Sequence, residues 1–378
     1  MACWKVSLFL PTFLLLLFIL ILHPSSSEAR PKQLEPLKHD GGPLLNGTVK
    51  LGILWYGRFR DSQKIVVQDF LSSLHAQTRV PRPTVATWWR HVEAYRGAIP
   101  GSRLRGKRIP RILVNVVNEK TDGEYSVGKI LTHAYFPTLA GKVTGGDDSI
   151  VAVIIAARDV SVENTCLGQC SIHGVLETGR GLFIALGNPE TECPGDCGWP
   201  FFPSTIGPQV GPPLIPPNGG IGEDAIVMSL AGALAHSVTN PYGNGFSSPF
   251  GRETMEAVSI CNKVFGTGAI EGFAGRVLAT RFKRHYNANG VRGKKFLLPA
   301  IWNPVKHKYV LAMVLDGNGS PYEFRIDSKH DDAGRGFENL KILKLGLTPP
   351  GTPWSLTTSR AAHALDHTLS DAVENCSP

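Results

Sequence analysis

Residues 187–246 constrain the fold more than any other stretch: GNPETECPGDCGWPFFPSTIGPQVGPPLIPPNGGIGEDAIVMSLAGALAHSVTNPYGNGF. Prolines at 194, 200, 203, 208, 212, 213, 216 and 217 each fix φ and remove a backbone donor. That density excludes a continuous helix or a central strand before residue 218. Apolar Trp199, Phe201, Phe202, Ile206, Leu214 and Ile215 are interleaved with the prolines, so an ordered surface loop is expected rather than a disordered one. One apolar helix follows, over residues 221–239, and Asn240-Pro241 stops it.

The rest of the chain alternates between strand and helix signals. VKLGILWYG (49–57) reads as a buried strand, and Asp61 can cap a helix carrying Ile65, Val66, Phe70, Leu71 and Leu74. Pro83 opens a second helix with Val85, Trp88, Trp89, Val92 and Tyr95 at helical spacing. Adjacent residues on a helix point in different directions, so only one of Trp88 and Trp89 is expected in the core. Residues 98–108 form a basic loop and RILVNVV (111–117) another strand; residues 125–140 are expected to be helical. SIVAVIIAA (149–157), apolar on both faces, reads as a central strand, and GLFIALGN (181–188) as one more. A short helix is expected over 253–264, carrying Glu256 and Cys261. Beyond Pro304, YVLAMVL and YEFRI flank Asp316-Gly-Asn-Gly, a hairpin signal, and a third run, LKILKLG, precedes a tail with little core potential. The expected class is α/β: a mixed sheet with flanking helices and a disulfide-stapled loop.

The N-terminus reads as a secretory signal. Lys5 precedes an apolar core at 7–22, Ser27-Glu28-Ala29 offers small residues for cleavage, and Pro11 and the short length argue against a membrane span. Secretion frames the cysteines. Cys3 lies in the signal, leaving Cys166, Cys170, Cys193, Cys197, Cys261 and Cys376. Two C-x3-C pairs could suggest zinc, but an even set in a secreted chain favours disulfides, whose connectivity the sequence leaves open. Asn46 and Asn318 are glycosylation acceptors, and Asn375 a poorer one because proline follows its sequon. The net charge is +8, with cations grouped at Arg103, Arg105, Lys107, Arg108 and Arg111, and again across 281–295. In an extracellular chain that balance points to an acidic polysaccharide or a membrane surface, without stable insertion, and not to nucleic acid; a wall or receptor protein is the other expected partner.

Several phrases together resemble the Exordium (phosphate-induced protein) family of secreted plant proteins. They are HDGGPLLNG (39–47), LWYGRF (54–59), PTVATWW (83–89), YSVGK (125–129), CLGQCSIHG (166–174), GNPETECPGDCGWPF (187–201), TNPYGNG (239–245) and YNANGVRGKKFLLPAIWNP (286–304). The resemblance implies an apoplastic protein tied to cell expansion and growth, including brassinosteroid-dependent growth, and it supplies no catalytic mechanism. It divides the chain into a signal (1–29), an Exordium-like domain (30–304) and an atypical C-terminal extension (305–378). Family members end soon after the Leu-Pro-Ala segment with a cysteine-containing tail, which NPVKHKYV lacks here; Cys376 is the remaining partner for Cys261.

A fainter resemblance links ALAHSVTNP, followed by Glu256, to a secreted zinc-peptidase pattern in degenerate form. Gly232 and Ala233 stand where that pattern has His and Glu, His236 stands at its downstream acidic position, and Glu256 matches its late Glu. Zinc catalysis needs more ligands than His236 and Glu256 supply. No Gly-x-Ser-x-Gly elbow and no Gly-x-Gly-x-x-Gly loop is present, and the mature cysteines can all pair. The sequence therefore assigns no catalytic residue and no cofactor. The candidate binding residues are Trp55, Tyr56, His173, Trp199, His236, Asn240 and Glu256. The expected function is non-enzymatic growth regulation in the wall space; a zinc-dependent hydrolase and a structural wall protein are the alternatives.

Overall fold

The computed structural model of the chain describes residues 37–76, 80–166, 169–205, 207–250, 253–261, 263–306, 308–312, 314–315, 321–330 and 336–344. Asn318 and Cys376 lie outside them, as do residues 1–36. Strand β1 is Lys38–His39 and β2 is Thr48–Tyr56; helices α1 (Asp61–Ser73), α2 (Val85–Glu93) and the single turn α3 (Tyr95–Ala98) follow. Next come β3 (Leu113–Asp122), β4 (Ile130–Leu131), α4 (Phe136–Thr144), β5 (Ile150–Ala156), β6 (Ser161–Val162), β7 (Ser171–Val175) and β8 (Leu182–Leu186). The short α5 (Pro194–Cys197), the long α6 (Ile221–Thr239) and strands β9 (Phe246–Phe250) and β10 (Glu253–Met255) complete the part that builds the site.

Five strands form one mixed sheet in the order β3-β2-β5-β8-β7. The first four are parallel, with Ile53 beside Val153 and Val153 beside Ile184, and β7 runs antiparallel to β8 with His173 opposite Ile184. The apolar run at 149–157 is central, as its two-sided hydrophobicity requires. Alternate side chains face α4: Leu54, Tyr56, Ala152, Ile154 and Phe183 pack with Phe136, Leu139 and Val143. Their neighbours Ile53, Trp55, Val153, Ile155 and Ile184 point to the other face and are equally buried. α6 packs against β7 and β8, and α1 against α6. α6 is apolar nearly all round and buried along its length, as such a helix must be.

Several expectations are corrected. Trp88 and Trp89 are both fully buried. Helix α2 is covered on two sides, so Trp88 Nε1 donates to the Pro299 carbonyl (2.8 Å) while Trp89 Nε1 donates to Ile112 (3.0 Å). Trp55 and Tyr56 are fully buried sheet residues, so their rings have no face to offer a ligand. Residues 125–132 are not helical: Ser126 is tied by N–H and hydroxyl to the Asp122 carboxylate, and only 136–144 is α-helix. Residues 253–264 are not a helix either; Glu253 to Met255 pair with β9, and only a 3-10 turn, Ser259–Cys261, follows. Asp61 is the first helical residue of α1, not its cap, which is Arg60. Arg111 is half-buried and paired, with Arg90, on buried Glu93, and so is not one of the free surface cations. The turn expected at 316–319 lies outside the described residues; the flanking strands 314–315 and 321–330 pair antiparallel, and 321–330 pairs antiparallel with 336–344.

The cysteines pair across the two C-x3-C segments: Cys166 with Cys193 and Cys170 with Cys197, at Cα separations of 5.5 and 5.3 Å. These two bridges pin the entry of β7 to α5, and each closes a loop worth about 2–4 kcal/mol. The proline connection is ordered by its own apolar residues. Trp199 and Phe201 are buried against Met228 of α6, Phe265 and Leu297. No helix among the described residues is long and apolar enough to cross a membrane.

Gly52 lies in β2 where α4 crosses, and an added Cβ there would meet the Val143 carbonyl oxygen at 2.8 Å. Backbone cannot rotate away as a side chain can. Gly52→Val is therefore expected to lower stability by about 1–3 kcal/mol in urea unfolding, with unchanged unfolding cooperativity.

Candidate functional site

Four of the candidate residues converge. His173 comes from edge strand β7, His236 and Asn240 from the last turn and cap of α6, and Glu256 from the residue after β10. The Glu256 carboxylate accepts from His173 Nε2 at 3.0 and 3.1 Å and from Asn240 Nδ2 at 2.7 Å; His236 Nδ1 lies 3.4 Å away. The orientation of Asn240 is fixed because its Oδ1 accepts the Gly245 N–H at 2.7 Å. The two histidines and Glu256 are each only 12–13% exposed.

The protons of this cluster can be placed. Backbone N–H groups of Val258 and Ser259 point at His236 Nε2, at 3.1 and 3.3 Å, so that nitrogen is an acceptor. The single proton of the neutral ring therefore sits on Nδ1, facing Glu256. Burial lowers the His236 pKa to about 4 despite the neighbouring carboxylate. Burial would raise Glu256, but His236, His173 and Asn240 outweigh it and hold the carboxyl down at about 2. The cluster is a stable anion held by donors.

The spacing of these three ligand atoms resembles a metal site, since all lie within 4.8 Å of one another. The proton positions do not fit one. A neutral imidazole binding zinc through Nδ1 carries its proton on Nε2, where two N–H groups already point. A histidine ligand ordinarily donates its other N–H to an acceptor; His236 faces donors there, and His173 Nδ1 has no partner. Gly232 adds no second helix ligand.

The cluster lies on the wall of a cleft of about 990 Å³, between β7, α6 and the disulfide-bound segment. On α6, Ser229, Gly232 and His236 face this cleft, a spacing of three and four residues that puts them on one helix stripe. Trp199 also contributes to the wall, although only 3% of it is exposed. Lys263 stands over its ring at 5.9 Å and pairs with Asp196 at 2.8 Å. Sequence reasoning singled out His173, Trp199, His236, Asn240 and Glu256 but missed Ser229, Asp196 and Lys263. Of these only Ser229 left a signal, its helical register with His236. Asn46 is exposed, as a glycosylation acceptor must be.

Residues 37–310 match the family described as "Phosphate-induced protein 1 conserved region". The chain is 38% identical to Protein EXORDIUM-like 2 of Arabidopsis thaliana over 278 residues, covering 71% of this chain and 87% of the relative. It is 36% identical to Protein EXORDIUM of the same plant over 322 residues, 79% of this chain and 97% of the relative. Protein PHOSPHATE-INDUCED 1 of Nicotiana tabacum is 36% identical over 278 residues, 71% and 85% of the two chains. No solved structure matches the chain.

Acid should open this cluster. The folded pKa of His236, about 4, lies below the unfolded 6.5, so the unfolded chain takes up its proton first and stability falls from pH 6.5 towards 4. Glu256 acts in the same direction between 4.5 and about 2. Asp224, raised to about 7 by burial, acts oppositely below pH 7, so the His236 contribution must be read as a difference. The unfolding free energy of His236→Gln, from urea titrations, should fall less than that of the parent between pH 6.5 and 4, by on the order of 2–3 kcal/mol. Parallel slopes would refute the proton placement.

Proposed function

The chain belongs to the Exordium (phosphate-induced protein 1) family, and on that premise we propose that it is a secreted regulator of cell expansion and growth that acts by binding. Residues 1–29 direct it out of the cell, 30–304 form the family domain and 305–378 are an extension. Its site of action is the apoplast and wall, and its growth effect falls within brassinosteroid-dependent expansion. The partner we assign is an acidic wall polysaccharide.

The observation that carries this reading is the loop after α3. Arg103, Arg105, Lys107 and Arg108 are all exposed, and none forms an ion pair with any described residue. The loop is ordered by its own turns: Ser102 N–H donates to Ile99, Arg105 to Ser102 and Lys107 to Leu104, while the Ser102 hydroxyl donates to the Arg96 carbonyl. Four unpaired cations on a set backbone bind a polyanion without first leaving other partners. The second basic group is weaker in this respect, since Arg292 is held by Asp69 and Lys295 lies over Tyr286.

A zinc-dependent hydrolase is supported only by the convergence of His173, His236 and Glu256, and their protons argue against it. Zinc titrated into metal-free protein should show no stoichiometric site tighter than roughly micromolar. Tight binding lost in Glu256→Gln would restore the hydrolase reading.

For the polysaccharide, affinity for polygalacturonate should drop about tenfold or more as salt rises from ~0.02 to ~0.3 M. Replacing Arg103, Arg105, Lys107 and Arg108 by alanine should cost a similar factor without moving the melting temperature. Binding indifferent to both changes would overturn this assignment.

A further inference from the structure

The charges lining the cleft are all matched within the protein. His133 is 3.2 Å from Glu163, Asp196 pairs with Lys263, and His173 and His236 share Glu256. An anionic or cationic ligand entering here would have to break one of these pairs to be recognised, and breaking a partly buried pair is costly.

The neutral polar groups are in the opposite condition. The side chains of Gln169, Ser171, Ser229 and Thr254 line the cleft and make no hydrogen bond with any described residue. Ser229, in the middle of α6 and only 8% exposed as a residue, turns its hydroxyl to the cleft and bonds it to no described residue. A buried donor is ordinarily satisfied, since an unmade hydrogen bond costs about 1–3 kcal/mol. Trp199 Nε1, buried in the same wall, is likewise unpartnered. Between these groups lie apolar surfaces of Phe183, Met228, Met255 and Phe265.

We propose that this cleft is a binding site for a neutral oligosaccharide. A sugar chain presents hydroxyls that both donate and accept, which serves free Ser, Thr and Gln side chains, and C–H faces that pack on apolar and aromatic surface. It carries no charge, so the matched ion pairs stay intact. A volume of about 990 Å³ is at the upper end of small-ligand sites and has room for more than one sugar ring. This site is separate from the cationic loop and does not rest on it.

The test uses the full-length, disulfide-bonded protein against a panel of neutral oligosaccharides (glucan, xylan, mannan and galactan fragments) with oligogalacturonate as the charged comparison. At least one neutral member should bind, with affinity changing less than about twofold between ~0.02 and ~0.3 M salt, since uncharged contacts are not screened. Ser229→Ala combined with Thr254→Val should weaken that binding about tenfold at an unchanged melting temperature, because neither hydroxyl holds the fold together. The four-alanine loop variant should keep it. The proposal is overturned if no neutral member binds, if the cleft variant binds as well as the parent, or if the loop variant alone abolishes binding. Oligogalacturonate binding that the four-alanine loop variant retains in full, with neutral binding also retained, would overturn the loop assignment only.

Discussion

Everything at the site depends on one buried carboxylate. Glu256 sits after β10, yet its oxygens are held by β7 through His173 and by the end of α6 through His236 and Asn240. A carboxylate this enclosed is costly unless donors surround it. Here the donors come from parts of the chain far apart in sequence, 83 residues in the case of His173. The cost of an uncompensated charge thus becomes a constraint on tertiary structure, since sheet edge, helix end and turn must all be in place to meet it. The backbone of 258–259 closes the arrangement from the far side of His236 by fixing its tautomer.

The disulfides do for the opposite wall what Glu256 does here. Two bridges, each 27 residues in span, fix the segment entering β7 and α5 side by side. The proline connection then needs no regular structure, because fixed φ angles reduce what its ordering costs and Trp199 and Phe201 anchor it against α6. On the cleft side α6 presents the small or polar Ser229, Gly232 and His236 beside Met228. Elsewhere the same helix is packed on all sides.

Sequence periodicity made the sheet and its helices legible, because β2, β5, β8 and α6 carry patterns that depend on local geometry alone. The two misread helices show where that ceases to hold. At 125–132 the Asp122 carboxylate takes the local N–H and hydroxyl groups, and at 253–255 pairing with β9 decides the conformation. Both partners lie within a dozen residues, but apolar periodicity reports neither a side-chain hydrogen bond to the backbone nor a short antiparallel pairing. The tryptophan pair failed for a related reason: adjacency rules assume one buried helix face, and α2 has two. Of the site, the individual residues were legible by type, but the contact between His173 and Glu256 was not, since nothing local encodes it. The proton positions, which separate an ion-pair cluster from a metal centre, come only from the backbone N–H groups at 258 and 259.

On the two proposals, the molecule separates its charged and neutral recognition surfaces. At the loop after α3 the cations have no internal partners; in the cleft every charged group has one, and the groups without partners are neutral. The two conditions have different consequences. Unpaired surface cations act over about a Debye length and are screened by salt, so they govern whether the protein adheres to a polyanion. Unpaired hydroxyls act only at contact and are indifferent to salt, so they govern which ligand fits. A protein carrying both would be held at a charged polymer by the first surface while the second samples uncharged chains nearby, with no bond broken at either.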